Sequence, residues 1–453
     1  MPELVIRGGR VVTPDGVIRR DIAIEDGLIS EIEAELKGGD EEINAHSLTV
    51  FPGLIDAHVH FNEPGRTEWE GAATGSRAFA AGGGTLFFDM PLNSTPCTID
   101  SRAFDQKREA LERSSATDFA LWGGLVPGNA SELAGLAERG VVGLKAFMCE
   151  SGLAEFPRSD EETLFEGMCI AARFGLPVAV HAESEAITSA LAREALTNGR
   201  HSIRDYLASR PVEAETEAIR IASSLALQAG AKLHIVHVSS GSGVAAALEA
   251  RARGVDVSIE TCPHYLFFSE EDLERLGAVA KCAPPLRSGA EREHLWSHVL
   301  DGDVGIIGSD HSPSPAEMKT GDDFFGIWGG IAGVQATLAV MLETGHHQRG
   351  LPLARIADLL ATSPAKRFGI GGKGSISIGY DADLALVDVS EPFVMSADTL
   401  LQRHLSSPYL GCRFRGKVSR TLLRGRTVGD AAARLVRPLV ESRESDAPPG
   451  ANT

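Results

Sequence analysis

Short apolar runs recur through the middle of the chain at Gly53–His60, Thr85–Met90, Phe119–Leu125, Val141–Met148, Pro177–His181, Leu233–Val238, Val255–Ile259 and Val304–Gly308. Each has the length of a buried strand. Helix-like stretches separate most of them. Pro211–Ala229, for example, has acids early and apolar residues at helical spacing. Alternating strands and helices predict a parallel sheet, and eight repeats predict an α/β fold closed into a (β/α)8 TIM barrel.

The two ends have a different texture. Leu4–Arg7, Arg10–Val12 and Asp21–Ile24 are short strand-like runs separated by Gly-Gly, Pro-Asp-Gly and Glu-Asp-Gly. Similar runs return at Gly374–Gly379, Ala382–Val387 and Thr421–Gly425. Neither piece carries much core of its own, so residues 1–51 and 373–435 are expected to combine into one small β-domain. The span between them, 52–372, provides the ~250 residues a barrel needs. The polar tail 441–453, with Pro-Pro-Gly, is expected to be disordered.

Composition narrows the class. A chain of 453 residues with 43% hydrophobic and 23% charged residues fits a globular protein. No apolar run reaches the ~18 residues of a membrane span. Met1-Pro2-Glu3-Leu4 shows no secretory signature, and the six cysteines are scattered without a CxxC pair, so a cytoplasmic protein with reduced thiols is expected. A net charge of −19 without a basic cluster argues against a nucleic-acid partner.

The chemistry lies at the predicted strand ends. His58 and His60 are spaced i, i+2, which sends both imidazoles to one face of a strand. Alone, such a pair is a weak metal signal. Lys145, His181, His237 and Asp310 fall near the ends of later strands, on the rim where barrel active sites form. Convergence on five strands points to a metal centre. A lysine desolvated among apolar neighbours and facing cations has a lowered pKa. Its neutral amine can add carbon dioxide, and the resulting carbamate offers one oxygen to each of two metals. Two bridged metals would generate a bound hydroxide and polarise a carbonyl, the chemistry of amide, ester or phosphoester hydrolysis. Asp310 would bind metal, accept the hydroxide's proton and return it to the leaving nitrogen as general base and acid.

These residues resemble the metal set of the cyclic amidohydrolases in the amidohydrolase superfamily, a group including dihydroorotases, hydantoinases and allantoinases. The resemblance covers nearly the whole chain. It implies a barrel with a β-sandwich built from both chain ends. It also implies a binuclear centre on His58, His60, carboxylated Lys145 (N6-carboxylysine), His181, His237 and Asp310. Zinc is the implied metal, with cobalt, manganese or iron in some members, and a homotetramer is the implied assembly.

Longer strings are most similar to the allantoinase branch. They include His60-Phe61-Asn62-Glu63-Pro64-Gly65-Arg66, Asp89-Met90-Pro91-Leu92-Asn93 and Asp205-Tyr206-Leu207-Ala208-Ser209-Arg210-Pro211. Others are Lys281-Cys282-Ala283-Pro284-Pro285-Leu286-Arg287, the stretch Ser309–Lys319, Trp328–Gly333, and Arg403-His404 with Ser407-Pro408-Tyr409. Dihydroorotases place an arginine two residues after the second metal histidine, to meet a carboxylate; here that residue is the neutral Asn62. Hydantoinases and dihydropyrimidinases typically place a tyrosine five residues after the lysine; here it is Glu150. Both departures favour a small neutral cyclic amide, allantoin, opened to allantoate. Other cyclic amides are the alternative, and a non-catalytic scaffold of the same fold is a remote one. Asn93 and backbone groups near Ala283 and Gly329 are candidate substrate contacts; His264 and His311 are candidate supports of the site.

Overall fold

The computed structural model describes residues 1–439, so the expected disordered tail at 441–453 lies outside the described residues. An eight-stranded sheet draws on both ends of the chain. Its N-terminal strands are Leu4–Thr13, Gly16–Glu25, Leu28–Glu33, Glu41–Asn44 and Thr49–Pro52; its C-terminal strands are Leu384–Val394, Arg413–Leu423 and Arg426–Thr427. The two groups join where Thr49–Pro52 pairs antiparallel with Leu384–Val387. Ile6, Val11, Ile22, Val50, Leu384 and Leu422 form a shared buried core there, so neither group has to bury its apolar face alone.

Three of the expected end strands need correction. Leu4–Arg7 and Arg10–Val12 form one strand, and Gly8-Gly9 is a bulge in its pairing rather than a turn. Gly8 takes φ +62, and a Cβ there would run into the His46 ring, so glycine is required. Gly374–Gly379 forms turns and bends instead of a strand. Both of its glycines have positive φ, which breaks an extended run at each end.

The central region is the barrel. Its strands are β1 (Leu54–Val59), β2 (Gly84–Asp89), β3 (Asp118–Leu121, resuming at Gly123–Gly124), β4 (Leu144–Phe147), β5 (Pro177–His181), β6 (Lys232–Ile235), β7 (Val257–Thr261) and β8 (Ile306–Ile307). Neighbours pair in parallel from β1 to β3 and from the second part of β3 to β8. Trp122 interrupts β3; its indole N–H donates to the Ala57 carbonyl across the barrel at 2.9 Å. A bridge between Val59 and His311 closes the ring, with the His60 amide donating to the His311 carbonyl at 2.8 Å. Most strands are shorter than their apolar runs, because the chain turns off the ladder before the run ends.

Helices cover the outside, among them Ala72–Ala81, Ser101–Ser114, Glu161–Phe174, Val212–Ala229, Gly241–Ala252 and Gly289–Asp301. Val212–Ala229 follows Pro211 at its N-cap, carries Glu213 and Glu215 in its first turn, and stops at Gly230 in left-handed geometry. No helix among the described residues is long and apolar enough to cross a membrane.

Candidate metal centre

The β1 register places His58 and His60 on one face at the C-terminal rim. His58 lies within the strand and His60 one residue beyond it. Both are buried. Their Nε2 atoms lie 3.2 and 3.4 Å from Oδ1 of Asp310, which follows β8. Parallel pairing of Phe147 with His181 aligns β4 and β5 and brings Lys145 to the same rim. His181 and His237 meet through Nδ1 and Nε2 at 3.1 Å. His237 lies two residues past the end of β6, in left-handed backbone. Among the described residues, six non-glycine positions have positive φ, and Asn62, Asn93, His237 and Asp310 are four of them. Backbone in this sparsely populated region is concentrated at the rim, where it aims side chains inward.

Carboxylates behind the histidines set their tautomers. Glu260 Oε1 lies 2.8 Å from His58 Nδ1, and its Oε2 lies 3.2 Å from His234 Nε2. Glu183 Oε2 lies 2.8 Å from His181 Nε2 and is also held by Arg210. Each carboxylate takes a ring N–H, which leaves the His58 Nε2 and His181 Nδ1 lone pairs facing inward. Burial lowers the pKa of His60, His181 and His237, so the imidazoles are neutral donors. Burial alone would raise Asp310, yet His58 and the hydrogen bond from His60 hold it well below the usual carboxylate range. Burial would likewise raise Glu183 and Glu260, but Arg210 with His181 and His58 with His234, respectively, bring each down to about 2.

Lys145 is fully buried, and its Nζ has no hydrogen-bond partner. Burial pushes its pKa down to about 8. His237 Nδ1 is also buried without a partner. An orphaned amine, inward imidazole lone pairs and an ionised carboxylate are a donor set suited to divalent cations, and His58, His60 and Asp310 offer ligand atoms within 4.8 Å of one another. Two other groups of potential ligands are already satisfied. Glu183 beside Cys149 is held by Arg210, and the Asp118, Asp381 and Asp383 carboxylates enclose the Lys373 ammonium at 2.9, 2.7 and 2.5 Å.

The centre opens into a cavity of about 280 Å³ lined also by Asn93, Glu150, Arg210, Ala283, Trp328 and Gly329. Asn93 Nδ2 lies 3.3 Å from His60 Nδ1. Two lysines, Lys281 buried and Lys319 half-buried, pin the wall formed by the loop after β8. Lys281 Nζ donates to the Phe324, Phe325 and Ile327 carbonyls. Lys319 Nζ donates to those of Trp328 and Gly330 at 3.0 and 2.6 Å.

Arg66, Asn62, His264 and His311 do not line this cavity. Arg66 pairs with Glu155 at 3.0 Å over the Trp69 ring and does not line the cavity. Asn62 is buried with its amide unpartnered. His264 is buried with both ring nitrogens unpartnered, and burial pushes it down to about 4. His311 Nδ1 accepts from the Gly333 and Val334 amides at 3.1 and 3.3 Å, so it braces the chain behind Asp310.

Four functional positions escaped the sequence reading: Asp56, Glu183, Arg210 and Glu260. Asp56 is raised to about 6 by burial and accepts from the Ser309 amide, which anchors the approach to Asp310. Glu183 and Glu260 had a signal, being carboxylates just past the ends of the apolar runs Pro177–His181 and Val255–Ile259, where barrel sites form.

A family model described as "Amidohydrolase family" matches residues 49–428. An allantoinase from Solibacter usitatus is 66% identical over 428 residues, covering 94% of each chain. One from Rubrobacter xylanophilus is 55% identical, covering 98% of this chain and 99% of its own. Among solved structures, the L-hydantoinase (dihydropyrimidinase) from Arthrobacter aurescens superposes with a TM-score of 0.93 at 32% identity, covering 96% of this chain and all of its own.

Proposed function

The chain belongs to the amidohydrolase family, and on that premise we propose that it is a metal-dependent hydrolase that opens the cyclic amide of allantoin to give allantoate. The observation that carries the reading is the convergence of His58, His60 and Asp310 ligand atoms beside an orphaned Lys145 amine at the barrel mouth. Identity to allantoinases over nearly the full length supports allantoin as the ring opened.

His58, His60, Lys145, His181, His237 and Asp310 would hold two divalent ions, with zinc the metal of choice and Lys145 carrying a carbamate. When bound, the ions would supply Lewis acidity at the ring carbonyl and lower the pKa of a water molecule. Asp310 carries the proton. Its ionised carboxylate takes a proton from the attacking water and delivers it to the ring nitrogen as the C–N bond breaks. The carbonyl carbon gains the water oxygen and becomes the carboxylate of the opened chain, and the second proton of the water passes to solvent. Asn93 and the backbone at Ala283 and Gly329 orient the ring from the cavity wall. Trp328 and the pinned loop restrict water.

In this reading residues 52–372 are the catalytic barrel, 1–51 with 373–435 the β-domain that supports it, and the working form a cytoplasmic homotetramer. A second reading, hydrolysis of other hydantoins or dihydropyrimidines, is favoured by the fold match to the L-hydantoinase. A panel of allantoin, hydantoin, dihydrouracil and dihydroorotate, with divalent metal and bicarbonate supplied, decides between them. Allantoin is expected to be turned over fastest; dihydrouracil well above allantoin would overturn the assignment.

A further inference from the structure

Arg210 and Lys281 are the cationic side chains that line the cavity, and they are in different states. Lys281 spends its ammonium on three loop carbonyls. Arg210 gives Nη1 to the Glu183 carboxylate and touches the Cys149 thiol, and its side chain remains 20% exposed. Its other N–H groups have no carboxylate or carbonyl acceptor among the described residues.

The position of Arg210 is rigid. Its amide donates to the Leu207 carbonyl, its own carbonyl accepts from Arg287 Nη1, Pro211 follows, and its guanidinium lies 5.8 Å from the centre of the Tyr206 ring. Tyr206 is itself fixed by a 2.9 Å hydrogen bond to the Cys282 carbonyl. Glu183 connects Arg210 to His181, so the guanidinium sits one side chain out from the candidate metal centre.

A cation balanced by a buried carboxylate presents directed N–H donors without a net charge. Such a group suits a neutral carbonyl better than an anion, and the planar fork holds it in one direction. We propose that Arg210 donates to the carbonyl oxygen of the ureido substituent on the ring and is the residue that selects ureido-bearing rings over unsubstituted ones. This rests on the allantoin reading and extends it to the part of the substrate that does not react.

The test compares kcat/KM for allantoin and for hydantoin, which lacks the substituent, in wild type, Arg210→Lys and Arg210→Gln. If hydantoin is not turned over, its competitive inhibition constant takes its place. Arg210→Lys keeps a cation for Glu183. Metal content is measured alongside, because loss of the Glu183 clamp alone would weaken both substrates together. The expected result is a fall of about tenfold or more in the allantoin-to-hydantoin quotient in both variants, with metal retained in the lysine variant. A quotient unchanged within about twofold overturns the proposal, as does loss of both activities together. Wild type that opens hydantoin but not allantoin refutes the functional reading instead.

Discussion

Glu260 and His58 come from β7 and β1, 202 residues apart, and meet at 2.8 Å in a fully buried contact. The same carboxylate reaches His234 and accepts from the His237 amide at 3.2 Å. One side chain therefore fixes the tautomer of His58 and the backbone that carries His237. Replacing it with glutamine keeps the shape but removes the charge that favours Nδ1–H. Glu260→Gln is expected to weaken metal affinity by about 10–100-fold. Chelator competition measures this directly, and affinity within about twofold of wild type would show that Glu260 is only packing.

Lys145 supplies a prediction with a definite sign. Burial holds its amine at about 8, so roughly half is neutral at pH 8 and only ~3% at pH 6.5. Only the neutral amine adds carbon dioxide. Reconstitution of metal-stripped protein at fixed dissolved CO2 should therefore speed up as pH rises from 6.5 to 8.5. Lys145→Ala should lose metal and activity; full metal content and turnover in that variant would remove the carbamate from the account.

Lys281 and Lys319 pin the cavity wall while burial depresses them to about 8 and about 7. The folded chain gives up these protons at lower pH than the unfolded chain, whose lysines titrate near 10.4. The unfolded state then binds more protons between about pH 7 and 10, so this contribution makes stability rise with pH across that window. A Lys281→Met, Lys319→Met double variant should lose that rise and also show a raised KM, because five loop carbonyls lose their donors. Melting temperatures of both proteins at pH 7.5 and 9.5 check the first point and steady-state kinetics the second.

Gly308 is a point of close approach. A Cβ there would stand 3.0 Å from both the Glu260 carboxyl carbon and the His58 Cβ. Gly308→Ala should reduce metal content more than it reduces the melting temperature, since the crowding falls on the pair that orients His58.

The sequence carried much of this arrangement, and the parts it missed have physical reasons. The apolar runs located all eight barrel strands because a parallel strand buried on both faces must be continuously apolar. Histidines and the lone lysine stood out against those runs. Glu183 and Glu260 were less visible, since a carboxylate two positions from a histidine or inside a strand reads as polar until a partner on another strand is seen. Arg210 sits at an elbow between the helices Ile203–Ser209 and Val212–Ala229, where no periodicity marks it. The bulge at Gly8 and the turns at Gly374–Gly379 depend on positive φ, which the hydrophobic pattern does not report.

The most direct measurement is allantoate formation from allantoin by metal-loaded wild type beside Asp310→Asn. Wild type should convert allantoin, metal removal should abolish conversion and reloading restore it. The asparagine variant should fall by about a thousandfold or more, because it can bind the ring but cannot carry the proton. Allantoin left intact by wild type under every divalent metal, or an Asp310→Asn variant that keeps most of the turnover, would contradict the account.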